Sequence, residues 1–440
     1  MTTIELGEID SAPDPGPATE FSRRLGRRGT IAATALACLV GITGSAHGSG
    51  APDIRPLWSV PIADSDGTTL SADTAYLQRT TAGRSHLSAY DLRTGKMRWE
   101  TTMDGTLGYT QLADAAGLLL LPIDPTATPT DDIRYAQFSK ATTALDARTG
   151  VARWTAAGEP MLVSDRTALM VDYGTDGVYV RLRLITLDPA APRVLWSDDT
   201  PGVDSVAFQT TGTRADRIIT VARDGFVRVT RFADGALLAG ARIPWDPAPG
   251  DGEFNDIAPA GDHLVVNRAR ANSSELSVYR LDTLAEVWRA GTTGRGFAFP
   301  CGTGICFDDG NGVAGYDPDT GRKRWQLDGV SNGWSAGPDR LVAQKEGNIQ
   351  QLYDADTGQP VGAPSEGETV WTIEPGSALV VLRPTHEPPD HTSITRWDLA
   401  TGRHELLGAV STLSVNRCQL VPHYLGCYQG HEFVVTAVGW

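Results

Sequence analysis

Beyond residue 28 the sequence contains no block of basic residues, and the 440-residue chain carries a formal net charge of −15. A phosphate backbone or an anionic lipid surface needs a basic patch to hold it, so both partners are disfavoured. Helical periodicity is nearly missing too. Only one segment, close to the N-terminus, reads as a helix. With 48 glycines and 27 prolines the chain is over-supplied with turn formers for a helical protein and suitably supplied for an all-β one. Cysteine is sparse. Of the five, Cys38 lies in an apolar run and the others form two close pairs, Cys301 with Cys306 and Cys418 with Cys427. Their spacing does not match the common zinc knuckles. Two local disulfides are expected, as an oxidising compartment allows, and a four-cysteine metal site is the rival reading.

What is present starts with a polar tail, residues 1–28. It holds five acids (Glu5, Glu8, Asp10, Asp14, Glu20) and ends in Arg23, Arg24, Arg27 and Arg28. These arginines precede an uncharged apolar run, which predicts a transmembrane helix over 29–47 with the tail in the cytoplasm and the remainder outside. The run sits at the short edge of a membrane span. A signal peptide cleaved near Gly44-Ser45-Ala46 is therefore the alternative, and Ser22-Arg23-Arg24 is loosely similar to a twin-arginine signal. Either way the chain beyond is exported. A linker follows over 48–56.

From residue 57 to 440 one pattern keeps returning. Tyr316-Asp317-Pro318-Asp319-Thr320-Gly321-Arg322-Lys323-Arg324-Trp325 has near-copies at Tyr90–Trp99 and Leu145–Trp154, and shorter relatives at Tyr353–Gly358 and Trp397–Gly402. Each reads as a strand, an Asp that starts a tight turn, a Gly that supplies positive φ, and a new strand running to Trp. Asp91, Asp146, Asp188, Asp234, Asp282, Asp317, Asp354 and Asp398 mark successive units at a mean spacing of about 44 residues, the length of one four-stranded propeller blade. Within units, Val, Ile and Phe alternate with polar residues, as half-buried strands require. Leu57-Trp58-Ser59-Val60-Pro61-Ile62 resembles a last strand with no unit before it, whereas 410–440 offers only three strands. Pairing the two would close a ring and protect its edge. The expected fold is thus an all-β propeller of four-stranded antiparallel blades, eight in number, with nine or seven as alternatives.

The Asp-x-x-Thr-Gly-x-x-x-Trp signature at Asp91–Trp99, Asp146–Trp154 and Asp317–Trp325 resembles the tryptophan-docking repeat of the PQQ-like (quinoprotein) β-propeller superfamily. The resemblance implies that Trp99, Trp154, Trp196, Trp288 and Trp325 pack between neighbouring blades. It also raises a quinone cofactor. The dehydrogenases of that superfamily are longer and carry a calcium site, a catalytic Asp and adjacent cysteines; no Cys-Cys dipeptide or calcium cluster is recognisable here. No cofactor, metal or catalytic residue is expected.

Other motifs yield to plainer readings. Gly329-Val330-Ser331-Asn332-Gly333 fits the nucleophile-elbow pattern but lacks its strand-to-helix context, so a link between blades is expected. His386-Glu387-Pro388-Pro389-Asp390-His391 looks like a metalloprotease helix until its two prolines and its spacing are counted, and a solvated loop is expected. Asp354-Ala355-Asp356 lacks the later ligands of a calcium loop. Three excursions, 125–135, 245–255 and 384–391, are longer than the turns around them and are expected to shape a binding face. Their acids (Asp131, Asp132, Asp246, Asp251, Glu253, Asp390) are solubilising or form an acidic recognition rim. The functional expectation is a membrane-anchored scaffold or sensor that binds a protein or envelope component without catalysis. The alternative is a small-molecule or enzymatic site in the central funnel.

Overall fold

A computed structural model of the chain describes residues 54–129, 135–175, 177–246, 253–370 and 376–439. The expected tail, transmembrane helix and most of the linker lie outside the described residues. Among the described residues no helix is long and apolar enough to cross a membrane. The first strand begins at Arg55, two residues before the expected start of the repeats.

Among the described residues the strands form seven antiparallel sheets of four, one sheet of seven, and a separate two-stranded hairpin. In chain order, sheet one covers 67–104, sheet two 111–157, sheet three 159–242, sheet four 254–293, sheet five 297–328, sheet six 332–366 and sheet seven 368–411. Sheet eight takes three strands from 418–437 and a fourth from Arg55–Pro61. The orphan N-terminal strand thus completes the C-terminal sheet, with Ser59 opposite Val434. Sheet three has seven strands because Val194–Thr211 serves twice. Its first half pairs with Tyr179–Thr186 and its second half with Arg214–Ala222.

Sequence pattern explains which strands lie inside. Second strands such as Leu118–Ile123 are buried along nearly their whole length, as strands covered on both faces must be. Fourth strands such as Lys323–Asp328 alternate exposed and half-buried residues, which marks the outer edge. Among the described residues nine apolar clusters join successive four-strand units, one of them within sheet three. The cluster of Ile62, Leu70, Leu77, Tyr428, Phe433 and Val435 joins sheet eight back to sheet one. That contact closes the ring.

The recurring turn works through its Asp. Asp91 Oδ1 accepts from Thr94 N at 2.9 Å and Thr94 Oγ1 at 2.8 Å, while Oδ2 accepts from Arg98 at 2.7 Å. Asp146 and Asp317 repeat the pattern with Arg153 and Arg324. Gly95 supplies φ +68° to close the turn, and its missing side chain leaves room for a neighbour's indole. A Cβ there would stand 2.5 Å from Trp58. Equivalent crowding would arise between Gly150 and Trp99, Gly321 and Trp288, and Gly358 and Trp325. Each indole then donates to a carbonyl of that turn: Trp58 to Leu92 at 2.7 Å, Trp99 to Ala147 at 3.0 Å, Trp288 to Pro318 at 2.9 Å and Trp325 to Ala355 at 3.1 Å. Trp154 and Trp196 donate likewise, to Asp188 and Phe232.

Three of the eight Asp markers fall elsewhere than expected. The left-handed residues Gly235 and Leu284 fix their turns, so Arg231 and Arg280 occupy the position of Asp91, not Asp234 and Asp282. Thr186 does so in the turn containing Asp188, through the bond from its N–H to Arg193 O. Backbone geometry defines the repeat; the Asp is one way of capping it. Two junctions also exchange their volumes. Where others set Trp against Gly, one has Ala239 at the Trp position and Leu284, left-handed, at the Gly position, both in one apolar cluster. Another brings Gly362 directly against Gly402, while Arg340 Nε donates to Leu399 O at 2.6 Å in the indole's stead.

A candidate binding face and its arginine cleft

Antiparallel order gives every sheet two distinct edges. Links between strands one and two, and between three and four, leave from one edge; sheet one shows them touching, Leu92 N to Asp73 O at 3.0 Å. Links between strands two and three, and from one unit to the next, leave from the other, where Gly105 N meets Gly83 O at 3.0 Å. The Asp-Thr-Gly turns line the first edge. All three long excursions leave from the second. The one at 125–135 joins the middle strands of sheet two, 384–391 joins those of sheet seven, and 245–255 links sheets three and four.

The first excursion is anchored. Thr126–Pro129 and Tyr135–Phe138 pair as a hairpin of their own. Phe138 closes it onto Tyr173, ring centroids 5.1 Å apart, and Tyr173 continues onto Tyr179 at 5.4 Å. Beside them Glu159 accepts from Ser139 N at 2.7 Å, and Tyr109 donates its hydroxyl to Pro160 O at 2.9 Å. Burial raises the Tyr109 and Tyr173 hydroxyls well above the usual phenol range, so both remain protonated donors. In the loop of sheet seven His391 Nδ1 lies 2.9 Å from Pro389 O, a contact within the loop itself. Among the described residues no group of three or more His, Cys, Asp or Glu gathers in a way that could hold a metal ion.

Sheet four gathers charged side chains at this edge. Register places Arg268 opposite Glu275, Ser277 opposite Arg289, and Arg270 opposite Ser273, so all six side chains leave the same side of the sheet. Pro244 and Asp246, from the connection between sheets three and four, stand against that side and complete a cleft of about 790 Å³. Arg268 is its floor, with a side chain only 9% exposed. It donates to Pro244 O at 2.9 Å and pairs with Glu275, which also faces Arg289 at 3.3 Å. Arg270 reaches Asn255 at 3.1 Å, and Glu253 stands 3.8 Å away. Burial lowers the Arg268 guanidinium from its ordinary range, the expected direction for a desolvated cation.

Several sequence expectations find their places. Cys301–Cys306 and Cys418–Cys427 are disulfides, with Cα separations of 5.7 and 4.1 Å. The first clips the turn between strands one and two of sheet five; the second ties directly opposed residues of sheet eight. Residues 329–331 link sheets five and six, with Asn332 and Gly333 opening the first strand of sheet six, and Asp354 caps its turn through Thr357. Asp131, Asp132 and Asp251 lie outside the described residues. Asp246 and Glu253 stand beside arginines, so an all-acid rim does not describe this sector. The arginine cleft was missed in sequence because Arg268, Arg270 and Arg289 form no block. The signal was there as Arg-x-Arg at the end of a strand, legible only once register brings Arg289 alongside.

No curated protein matches this chain in sequence. Among solved structures it is similar to BamB from Moraxella catarrhalis, at 13% identity, covering 87% of this chain and 97% of that one, with a TM-score of 0.43. It is also similar to a eukaryotic initiation factor at 11% identity, covering 82% and 92%, with a TM-score of 0.50. The computationally designed Ika8 protein matches at 11% identity over 87% and 99%, with a TM-score of 0.45. A sequence profile of one family matches residues 50–290, and on that match, which spans more than half its length, the chain belongs to the PQQ-like repeat family described as outer membrane protein assembly factor BamB.

Proposed function

We propose that the chain is a membrane-anchored, extracytoplasmic β-propeller that binds another protein or envelope component through the edge bearing its three long excursions, without catalysis. The carrying observation is the division of labour between edges. Tight turns of one backbone geometry, five of them capped by Asp, recur on one, whereas 125–135, 245–255 and 384–391 all leave from the other. Loops diversified on a rigid scaffold are where recognition is built. The family's description as an assembly factor supports a scaffold role. The four basic residues ahead of the apolar run support the anchor. The nine inter-unit clusters, and the two halves of sheet three, support nine blades in place of the expected eight.

The test is cross-linking in native membranes with a tagged full-length chain, followed by mass spectrometry. One protein should be enriched reproducibly and lost when residues 384–391 are replaced by a short turn. Capture that survives replacement of all three excursions would end this reading.

A further inference from the structure

We propose that a pocket between the two halves of sheet three binds a neutral small molecule: an apolar ring system of bicyclic size, seated against Phe226 and Leu237, whose one hydrogen-bonding group meets Thr200. None of the residues lining this pocket belongs to the three long excursions, so the inference stands or falls apart from the binding face described above.

Three observations carry it. First, the cavity has the right size. Val194–Thr211 runs unbroken from the outer strand of one four-strand unit to the inner strand of the next, and the two units enclose about 500 Å³ beside it. Small-molecule sites span roughly 300–1,000 Å³. Second, one wall is apolar and lacks a side chain. Val203 and Ala222 line the pocket with Phe226 and Leu237, which are 36% and 54% exposed. Gly240 stands between the last two. A Cβ there would come 3.3 Å from Phe226 Cζ and 3.8 Å from Leu237 Cδ2. Glu100, Thr155 and Gln326 hold the equivalent register position in sheets one, two and five, so Gly240 leaves open a space that those sheets fill. Third, a polar group is left over. Thr200 also lines the pocket; it is 5% exposed, and its Oγ1 has no hydrogen-bond partner. A buried hydroxyl without a partner is destabilising, and a ligand that hydrogen-bonds it removes that penalty.

Charge selects a neutral ligand. The ionic groups at the pocket are matched one to one: Asp199 pairs with Arg181 at 2.7 Å, Arg228 with Asp198 at 3.0 Å, and Arg242 with Asp224 at 2.6 Å. An ion seated on the apolar wall would lose its water and find no unpaired charge to replace it. A wholly apolar ligand would cover Phe226 and Leu237 but leave Thr200 unsatisfied. A ring that carries a hydroxyl or an amide meets both requirements.

The probe is 2-naphthol, with naphthalene and 2-naphthoate as comparisons, titrated by calorimetry into the full-length chain in lipid nanodiscs, with empty discs as the blank. Wild type should bind 2-naphthol saturably and more tightly than either comparison. T200V keeps the shape and removes the hydroxyl; it should weaken 2-naphthol by about tenfold and change naphthalene by less than about twofold. G240Q, which supplies the side chain that sheet five has at Gln326, should abolish binding of both. L237Q alters an exposed side chain, leaves the fold intact, and should weaken both by about threefold or more. Equal binding of 2-naphthol by wild type and either G240Q or L237Q overturns the inference, as does the absence of saturable binding to folded wild type. Naphthoate as tight as naphthol overturns the assignment to a neutral ligand, and an equal loss of naphthalene in T200V overturns the role of the hydroxyl. G240Q should still capture the membrane partner at wild-type yield. Loss of that capture would put a side chain of the protein partner in the pocket in place of a small molecule.

Discussion

The two edges of the sheets obey different rules. On the turn edge, sheets one, two, five and six use the same residues in the same way. Asp caps, Thr steadies, Gly makes room, and an indole from the preceding unit lies across it. On the loop edge the links run from the two residues Ala82-Gly83 to excursions with a hairpin of their own. Repetition on one side lets the other vary. Damage to the turn edge should therefore appear as lost stability with binding intact in whatever remains folded, and damage to the loop edge as the reverse.

The largest expected effect is W325A. It removes the indole across Gly358 and its bond to Ala355 O, and should cost about 3–5 kcal/mol in urea melts. At the exchanged junction, A239W alone should overpack and L284G alone should leave a void, each costing about 1–3 kcal/mol. Combined they restore the Trp-against-Gly arrangement, and the double variant should be more stable than the sum predicts; strict additivity would show that the two positions do not share a space. Reducing Cys301–Cys306 opens a loop of sequence separation 5 and should cost about 2 kcal/mol in the chain-entropy model.

A smaller effect depends on pH. Arg98 and Arg324 hold the carboxyls of Asp91 and Asp317 down to about 2. Their unfolded value is about 3.9. With the folded value depressed, their contribution is fully present above the unfolded value and is lost as pH falls from about 5 toward 2. R324Q should consequently lower stability at neutral pH and flatten its dependence on pH between about 5 and 2, so that variant and wild type converge in acid. Last comes the loop edge itself. Replacing Pro384–His391 with a two-residue turn should alter stability by no more than about 0.5 kcal/mol while abolishing partner capture.

Sequence made the scaffold legible because each unit states its turn chemistry locally. Tyr316 to Trp325 carries strand end, cap, positive φ and docking indole within ten residues. Where a unit uses other means, the markers slipped. Leu284 reaches the left-handed region without being Gly, so Asp282 stood in for a turn that Arg280 begins. The strand Val194–Thr211 serves two units, with Trp196 in the last strand of one and Val206 in the first strand of the next; its continuity between them is what the sequence did not record. The binding edge was legible as three long excursions but not as one edge, because that grouping follows from strand order. The arginine cleft was least legible. Its members come from three strands, and only register makes them neighbours.

The most direct test of the central claim is a paired photo-cross-linking scan in native membranes. A photoreactive residue is placed at positions 127, 246 and 390 on the loop edge, and at 93, 148 and 401 on the turn edge. The account predicts that the same protein is captured from the first set and none from the second. Capture from the turn edge, or equally from both, would contradict it.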